Sequence, residues 1–232
     1  MRSRVSPRRV SQLPCVWSRW LSSTILPDPF LSDDYVLLSG PLFRWDIFAA
    51  ALQRPGGDGA FRPLGILYYQ LMQAASGVNP VTWHAVGLAL HLLNAALVFS
   101  IAWMLWRNKT SSAVASLAFG LNGTRPEVAL WTAGNWELPA CACVFGSIAL
   151  ALSQRARGSR ARLILALPLT AVGILCKESA YAMPLIAFAI ILARPNGRTA
   201  RDFRVFLVGV CGVCAALFAW RWRLFQGRRL YR

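Results

Sequence analysis

Residues 81–106 read VTWHAVGLALHLLNAALVFSIAWMLW, 26 positions with no formal charge apart from the neutral imidazoles of His84 and His91. About 20 such residues cross the roughly 30 Å of hydrocarbon in a bilayer, so this stretch is long enough to span one. The rest of the composition agrees. Of the 232 residues 56% are apolar and only 15% charged, whereas a water-soluble domain carries about 25% charged residues. Ten Trp, 12 Phe and 5 Tyr supply far more apolar surface than a disordered chain leaves in water. The balance of 25 Lys and Arg against 9 Asp and Glu, a net +16, is not spread as a nucleic-acid footprint. The cations cluster between apolar runs, which makes the charge a signal of membrane topology.

Two further runs, Trp136 to Ser153 and Phe203 to Trp220, are each 18 residues long, interrupted only by Glu137 and Arg204, and also read as spans. Ala113 to Leu121, Leu163 to Cys176 and Ala180 to Ala193 are apolar but short. The charges make them crossings too. The connections Arg107-Asn-Lys109, Arg155 to Arg162 and Arg194 to Arg204 are all basic and one hairpin apart, so the positive-inside rule puts all three in the cytoplasm. Six segments then alternate, with 122–135 and the turn Cys176-Lys-Glu-Ser179 on the outer face. The tail 221–232 disagrees, because its five arginines fall on the outer side. Either the last run is not a span or those arginines have anionic partners there.

The expected organisation is one all-α polytopic helical bundle: a basic N-terminal segment at 1–30, an outer loop with an amphipathic surface helix at 31–80, a transmembrane bundle of about six segments at 81–220, and the basic tail. Residues 1–30 hold five arginines and no long apolar run, so they are neither signal peptide nor span. Residues 60–79 place apolar positions at helical spacing, with Gln70, Gln73 and Ser76 on the other side, which predicts a helix lying on the membrane surface.

On this topology the unusual polar residues share the outer side. His84 opens the first span, His91 lies two turns deeper on the same face, and Asn94 follows one turn further. Arg125 and Glu127 occupy the first outer loop, Glu137 begins the next helix, and Lys177 and Glu178 make the second outer turn. Ionisable groups at membrane depth are costly and tend to line wet cavities. Each has a plainer account beside the functional one: the histidines as hydrogen-bonded interior residues, Lys177 and Glu178 as a self-compensating adjacent pair, Glu127 after Pro126 as a first-turn carboxylate. Asp33 and Asp34 are either a helix N-cap or a carboxylate pair in which one acts as general base. Arg62, before Pro63, is placed to hold a phosphate. The six cysteines offer no metal-ligand spacing, since Cys211-Gly-Val-Cys214 lies within an apolar helix, and there is no phosphate-cradling glycine loop.

HAVGLALHLLNAALV at 84–98 resembles the His-x-x-Asn-x-x-Leu-His-x-x-Asn-Ala pattern of GT-C-fold glycosyltransferases that use polyprenyl-phosphate sugars, and is most similar to the membrane half of the transmembrane and tetratricopeptide-repeat O-mannosyltransferases. His84, Leu90, His91, Asn94 and Ala95 match, and Gly87 replaces the Asn. Glu127, Trp131, Gly134 and Glu137 follow the pattern Glu-x-x-x-Trp-x-x-Gly-Arg-x-Asp, with Asn135 and Glu137 in place of Arg and Asp, and Asn122-Gly123 stands where the family has His-Pro. LCKESAYAMPL at 175–185 resembles the Lys-Glu-x-x-x-x-x-Pro signature, and FLSDDYVLL with FRPL resembles the first outer loop.

The resemblance implies a GT-C-like fold, incomplete at both ends because the family has a span before its Asp-bearing loop and continues well beyond residue 232. It implies that Asp33 or Asp34 deprotonates the acceptor hydroxyl, with Glu127 the second catalytic acid. Arg62, His84, His91, Lys177 and Glu178 then bind the substrate, chiefly the lipid phosphate that leaves. The implied partners are a polyprenyl-phosphate-linked sugar such as mannose, membrane lipid and an acceptor protein or glycan, with no nucleic acid. The resemblance fixes no cofactor, and a divalent cation is the candidate it leaves open. The implied location is the inner membrane of a bacterium or the endoplasmic reticulum of a eukaryote. A non-catalytic transporter or lipid-handling protein, and an inactive remnant of the enzyme, are the competing classes.

Overall fold

The computed structural model describes residue 34 and residues 44–54, 60–122, 131–153, 160–193 and 198–229. The whole of segment 1–33, with Asp33, then Arg125, Glu127 and residues 230–232 lie outside the described residues. The described part is all-α, as the apolar runs require. Eight helices follow one another: α1 Trp45–Gln53, α2 Pro63–Ser76, α3 Pro80–Trp106, α4 Lys109–Gly120, α5 Glu137–Ser153, α6 Arg160–Cys176, α7 Met183–Ala193 and α8 Arg198–Arg229. Single 3-10 turns at Thr132–Gly134 and Glu178–Ala182 precede α5 and α7.

Local chemistry sets the helix ends. Gly77 closes α2 at φ 54°, where a side chain is strained, and the Asn79 side chain then accepts from Val81 N–H at 3.1 Å, with Pro80 as the first residue of α3. Arg107 adopts the left-handed conformation, φ 55°, and Asn108 caps α4 through Ser111 N–H at 3.0 Å. Two residues therefore suffice to reverse the chain. α4 returns along α3, since the Ser116 hydroxyl donates to the Ala95 carbonyl at 2.8 Å and Gly120 ends beside His91. Twelve residues rise only about 18 Å, so α4 stops part-way along α3.

Three stretches are long and apolar enough to cross a membrane among the described residues: Pro80–Trp106, Thr132–Ser153 and Phe203–Gln226. Most of their surface faces outward, and large apolar residues such as Leu92, Leu93, Val208 and Phe218 are exposed. In hydrocarbon that exposure is the favoured arrangement, and burial goes instead to the polar side: Trp83, His84, Gly87, His91 and Asn94 form the inward stripe of α3. α5 and α6 pack closest. Their contact is made by small residues, with a Cβ on Gly173 standing 3.3 Å from the Ala140 carbonyl. Ser147 donates to the Ala166 carbonyl at 2.7 Å and meets the Thr170 hydroxyl at 2.8 Å, so the polar groups between the two helices satisfy one another. The apolar core lies below, among Ile148, Leu152, Ala166, Met183, Phe203 and Phe206, and Leu105 near the end of α3 packs on it. The last turns of α3, α5 and α7 thus lie at one end of the bundle.

α2 departs from expectation. Tyr69, Gln70 and Gln73 are buried, while Leu71 is exposed, so the glutamine side faces the protein instead of water. Tyr69, on the same side of the helix, packs against Trp83 and Trp136, and the glutamines are carried inward with it.

Candidate functional site

The opposite end of the bundle gathers α2, the start of α3, the 3-10 turn Thr132–Gly134, the end of α6, the turn Glu178–Ala182 and Trp220 of α8. Asp34 is fully buried here, and its carboxylate accepts the Ala133 N–H at 2.5 Å. The same turn is held from its other side. Tyr69 donates its hydroxyl to the Thr132 carbonyl, and Trp136 Nε1–H donates to the Ala133 carbonyl at 2.5 Å. Tyr69 in turn packs between Trp136, at 4.5 Å between ring centroids, and Trp83, at 5.4 Å. Burial, then Tyr68 and the Asp34 charge, push the Tyr69 hydroxyl well above its ordinary pKa, so it remains a donor at any physiological pH. The Trp83 indole donates to the Gly77 carbonyl at 3.0 Å, which ties the platform to the bend between α2 and α3. Asp34 therefore sits on a turn braced by three aromatic side chains.

The polar atoms that flank Ala133 are not all used. Thr132 Oγ1, both amide atoms of Asn135 and Asn94 Oδ1 are buried and have no hydrogen-bond partner among the described residues, although Asn94 Nδ2 donates to the Leu138 carbonyl at 3.0 Å. Buried polar groups left unmet are uncommon in a finished interior and are the groups a polar ligand satisfies.

Two ion pairs stand beside this turn. Arg62 Nε lies 2.6 Å from Glu178 Oε2, the Phe61 N–H donates to Glu178 Oε1 at 3.1 Å, and the Arg62 guanidinium covers the Trp136 ring at 5.4 Å. Lys177 Nζ lies 3.6 Å from Glu137 Oε1, and Ser179 donates to Glu137 Oε2 at 2.7 Å. The adjacent Lys177 and Glu178 are thus not a self-compensating pair: extended backbone at Lys177 sends the two side chains to different partners. From Glu137 and Ser179 a cavity of about 250 Å³ runs between α5 and α7, walled by Cys141, Phe145, Met183 and Ile186.

Burial alone raises the Glu178 carboxyl, but the Arg62 hydrogen bond and charge, with backbone N–H groups, outweigh it and hold the group below the ordinary carboxylate range. A depressed native pKa contributes stability that is complete above the unfolded value of about 4.3 and is lost as pH falls through the native value. With both side chains about one-fifth exposed (21% and 22%), Glu178→Gln is expected to lower stability by about 1–2 kcal/mol at neutral pH. Unfolding followed in detergent should show that difference shrinking below about pH 4. A gap that persists in acid would place the effect in packing, not charge.

The histidines are both buried on the face expected. His84 lies at the site end of α3. His91 is two turns deeper, its Nε2 3.1 Å from the Gly120 carbonyl and its ring stacked on Phe119 at 5.7 Å, so α4 covers it. Asp34, Arg62, His84, Lys177 and Glu178 are gathered at one end. Tyr69, Thr132, Trp136 and Ser179 were not singled out by their sequence pattern, since each acts through a partner at least 40 residues away or through a turn carbonyl. Among the described residues no three His, Cys, Asp or Glu side chains come together as metal ligands.

Fold and site together define a polytopic integral membrane protein with a polar, aromatic-braced pocket at one end of its helices. In sequence the chain is similar to protein O-mannosyl-transferase Tmtc1 of Drosophila melanogaster, 29% identical over 185 residues that make up 78% of this chain and 21% of that protein. It is also similar to Tmtc2 of the same organism, 30% identical over 183 residues, 76% of this chain and 19% of that protein, and to human TMTC3, 26% identical over 142 residues, 59% and 15%. The chain thus resembles the family of these O-mannosyl-transferases and spans about a fifth of the length of the first two. No family model and no solved structure matches it.

Proposed function

We propose that the chain forms part of a membrane glycosyltransferase that moves a sugar, mannose by analogy with the names of its relatives, from a polyprenyl-phosphate donor to a hydroxyl of an extracytoplasmic protein or glycan acceptor. One observation carries the reading: a buried carboxylate, Asp34, is fixed on a braced turn at the bundle end that also holds Arg62, Lys177 and His84. Sugar transfer from a lipid phosphate asks for that combination. The acceptor oxygen bonds to the anomeric carbon as the bond from that carbon to the phosphate oxygen breaks, the hydroxyl proton passes to the carboxylate, and the phosphate leaves carrying negative charge. Asp34 is the base, with Asp33 and Glu127 the other acids of the site. Arg62 keeps guanidinium N–H groups beyond the Nε used on Glu178, and Lys177 keeps ammonium hydrogens beyond its contact with Glu137, so both have donors left for the departing phosphate. Glu178 orients Arg62, while His91, two turns deeper along α3 and covered by α4, supports the site from behind and does not reach the substrate. The unmet Thr132 and Asn135 groups are the hydrogen-bond partners for sugar or acceptor hydroxyls. The likeness to eukaryotic relatives favours the endoplasmic reticulum as the membrane.

Membranes containing the protein that carries this chain should transfer labelled sugar from a polyprenyl-phosphate donor to a hydroxyl-bearing acceptor, read as label in the acceptor fraction. Solute uptake into proteoliposomes without any transfer product would replace this reading with a transporter.

A further inference from the structure

α8 ends in a feature that the transfer chemistry does not use. Its apolar stretch from Phe203 to Trp220 rises roughly 27 Å, close to the hydrocarbon thickness. Trp220 then meets Phe61 edge-on at 5.1 Å, and the Phe61 N–H is bound to Glu178, which puts the end of this stretch level with the candidate site. The helix continues to Arg229. The nine residues 221–229 rise roughly 13 Å more, enough to pass through a headgroup layer about 5–8 Å thick. They carry Arg221, Arg223, Arg228 and Arg229 and no acidic residue. Trp222 is exposed and stacked on exposed Phe218 at 6.2 Å, an aromatic pair at the depth where aromatic belts meet the interface. The Arg221 guanidinium lies over Phe225 at 5.4 Å.

We propose that this arginine-bearing end of α8 is a docking surface for the phosphate headgroups of anionic bilayer lipids in the leaflet beside the candidate site. Charge complementarity carries the choice of occupant. Arg221 and Arg223 stand at headgroup depth next to an interfacial tryptophan, with Arg228 and Arg229 following them in the sequence, at the end of the bundle opposite the last turns of α3, α5 and α7, where positive charge otherwise opposes insertion. Anionic headgroups neutralise them there and hold α8 upright against Phe61.

Trp222 reports on this contact. With the chain in phosphatidylcholine vesicles containing a minority of brominated phosphatidylglycerol, the quenching lost in Trp222→Phe measures lipid beside that residue. It should exceed that from the same fraction of brominated phosphatidylcholine by about five-fold, the enrichment that one arginine at the headgroup layer supports. Replacing Arg221, Arg223, Arg228 and Arg229 together by Gln should abolish the excess, and replacing all four by Lys should keep it. Equal quenching by the two lipids, or an excess that survives the Gln replacements, overturns the proposal. So does displacement of the excess by inorganic phosphate or a short oligonucleotide, which would make a soluble anion the occupant.

Discussion

Asp34→Asn should reduce sugar transfer by about 10²–10⁴-fold while leaving the helical bundle folded. The substitution keeps the shape of the side chain and an oxygen able to accept the Ala133 N–H, which lies 2.5 Å from the carboxylate. What it removes is the capacity to take a proton. Circular dichroism and the unfolding midpoint should therefore stay near wild type while labelled product disappears. Asp33→Asn is the matching measurement, because the neighbouring acid competes for the role. Full transfer by the Asp34 variant together with loss in the Asp33 variant would move the base by one residue and leave Asp34 as the brace of the turn. Full transfer in both would remove the carboxylate mechanism.

Gly65→Ala should destabilise the protein by about 2–3 kcal/mol, near the upper end for overpacking. A Cβ at this position in α2 stands 2.7 Å from the Cys176 carbonyl oxygen and 2.8 Å from Trp136 Cε3. Neither neighbour gives way readily. The carbonyl belongs to the end of α6, and Trp136 is held by Ala133 and covered by Arg62. The methyl group would thus pry α2 from the platform under Asp34, and transfer should fall along with stability. Gly212→Ala is the control: nothing lies within 4 Å of the added carbon, and alanine favours the helix by somewhat under 1 kcal/mol, so its unfolding midpoint should hold or rise. Equal effects at the two positions would mean that helix propensity, not the α2 contact, governs the response.

The inward face of α3 was legible because two constraints coincide on it. The 3.6-residue period puts His84, Gly87, His91 and Asn94 in one stripe, and hydrocarbon on the other side leaves that stripe nowhere to go but inward. The same rule misled for α2. Its glutamines suggest a wet face, yet Gln70 and Gln73 are buried, because Tyr69 docks on Trp83 and Trp136 and takes that whole side of the helix with it. The length of α4 was likewise hidden, since the apolar run begins only at Ala113 while the Asn108 cap starts the helix at Lys109.

The order of residues by itself determined that the chain is helical, that it belongs in a membrane, and which polar groups face inward on α3, for these follow from length, periodicity and the cost of charge in hydrocarbon. Only the tertiary structure decided the partners: Glu178 with Arg62, 116 positions away, Lys177 with Glu137, and Asp34 with the N–H of Ala133. Partner choice is a matter of where helix ends meet in space. Local pattern carries no information about it, because a carboxylate can satisfy any cation or N–H group that the packing brings within 3 Å or so.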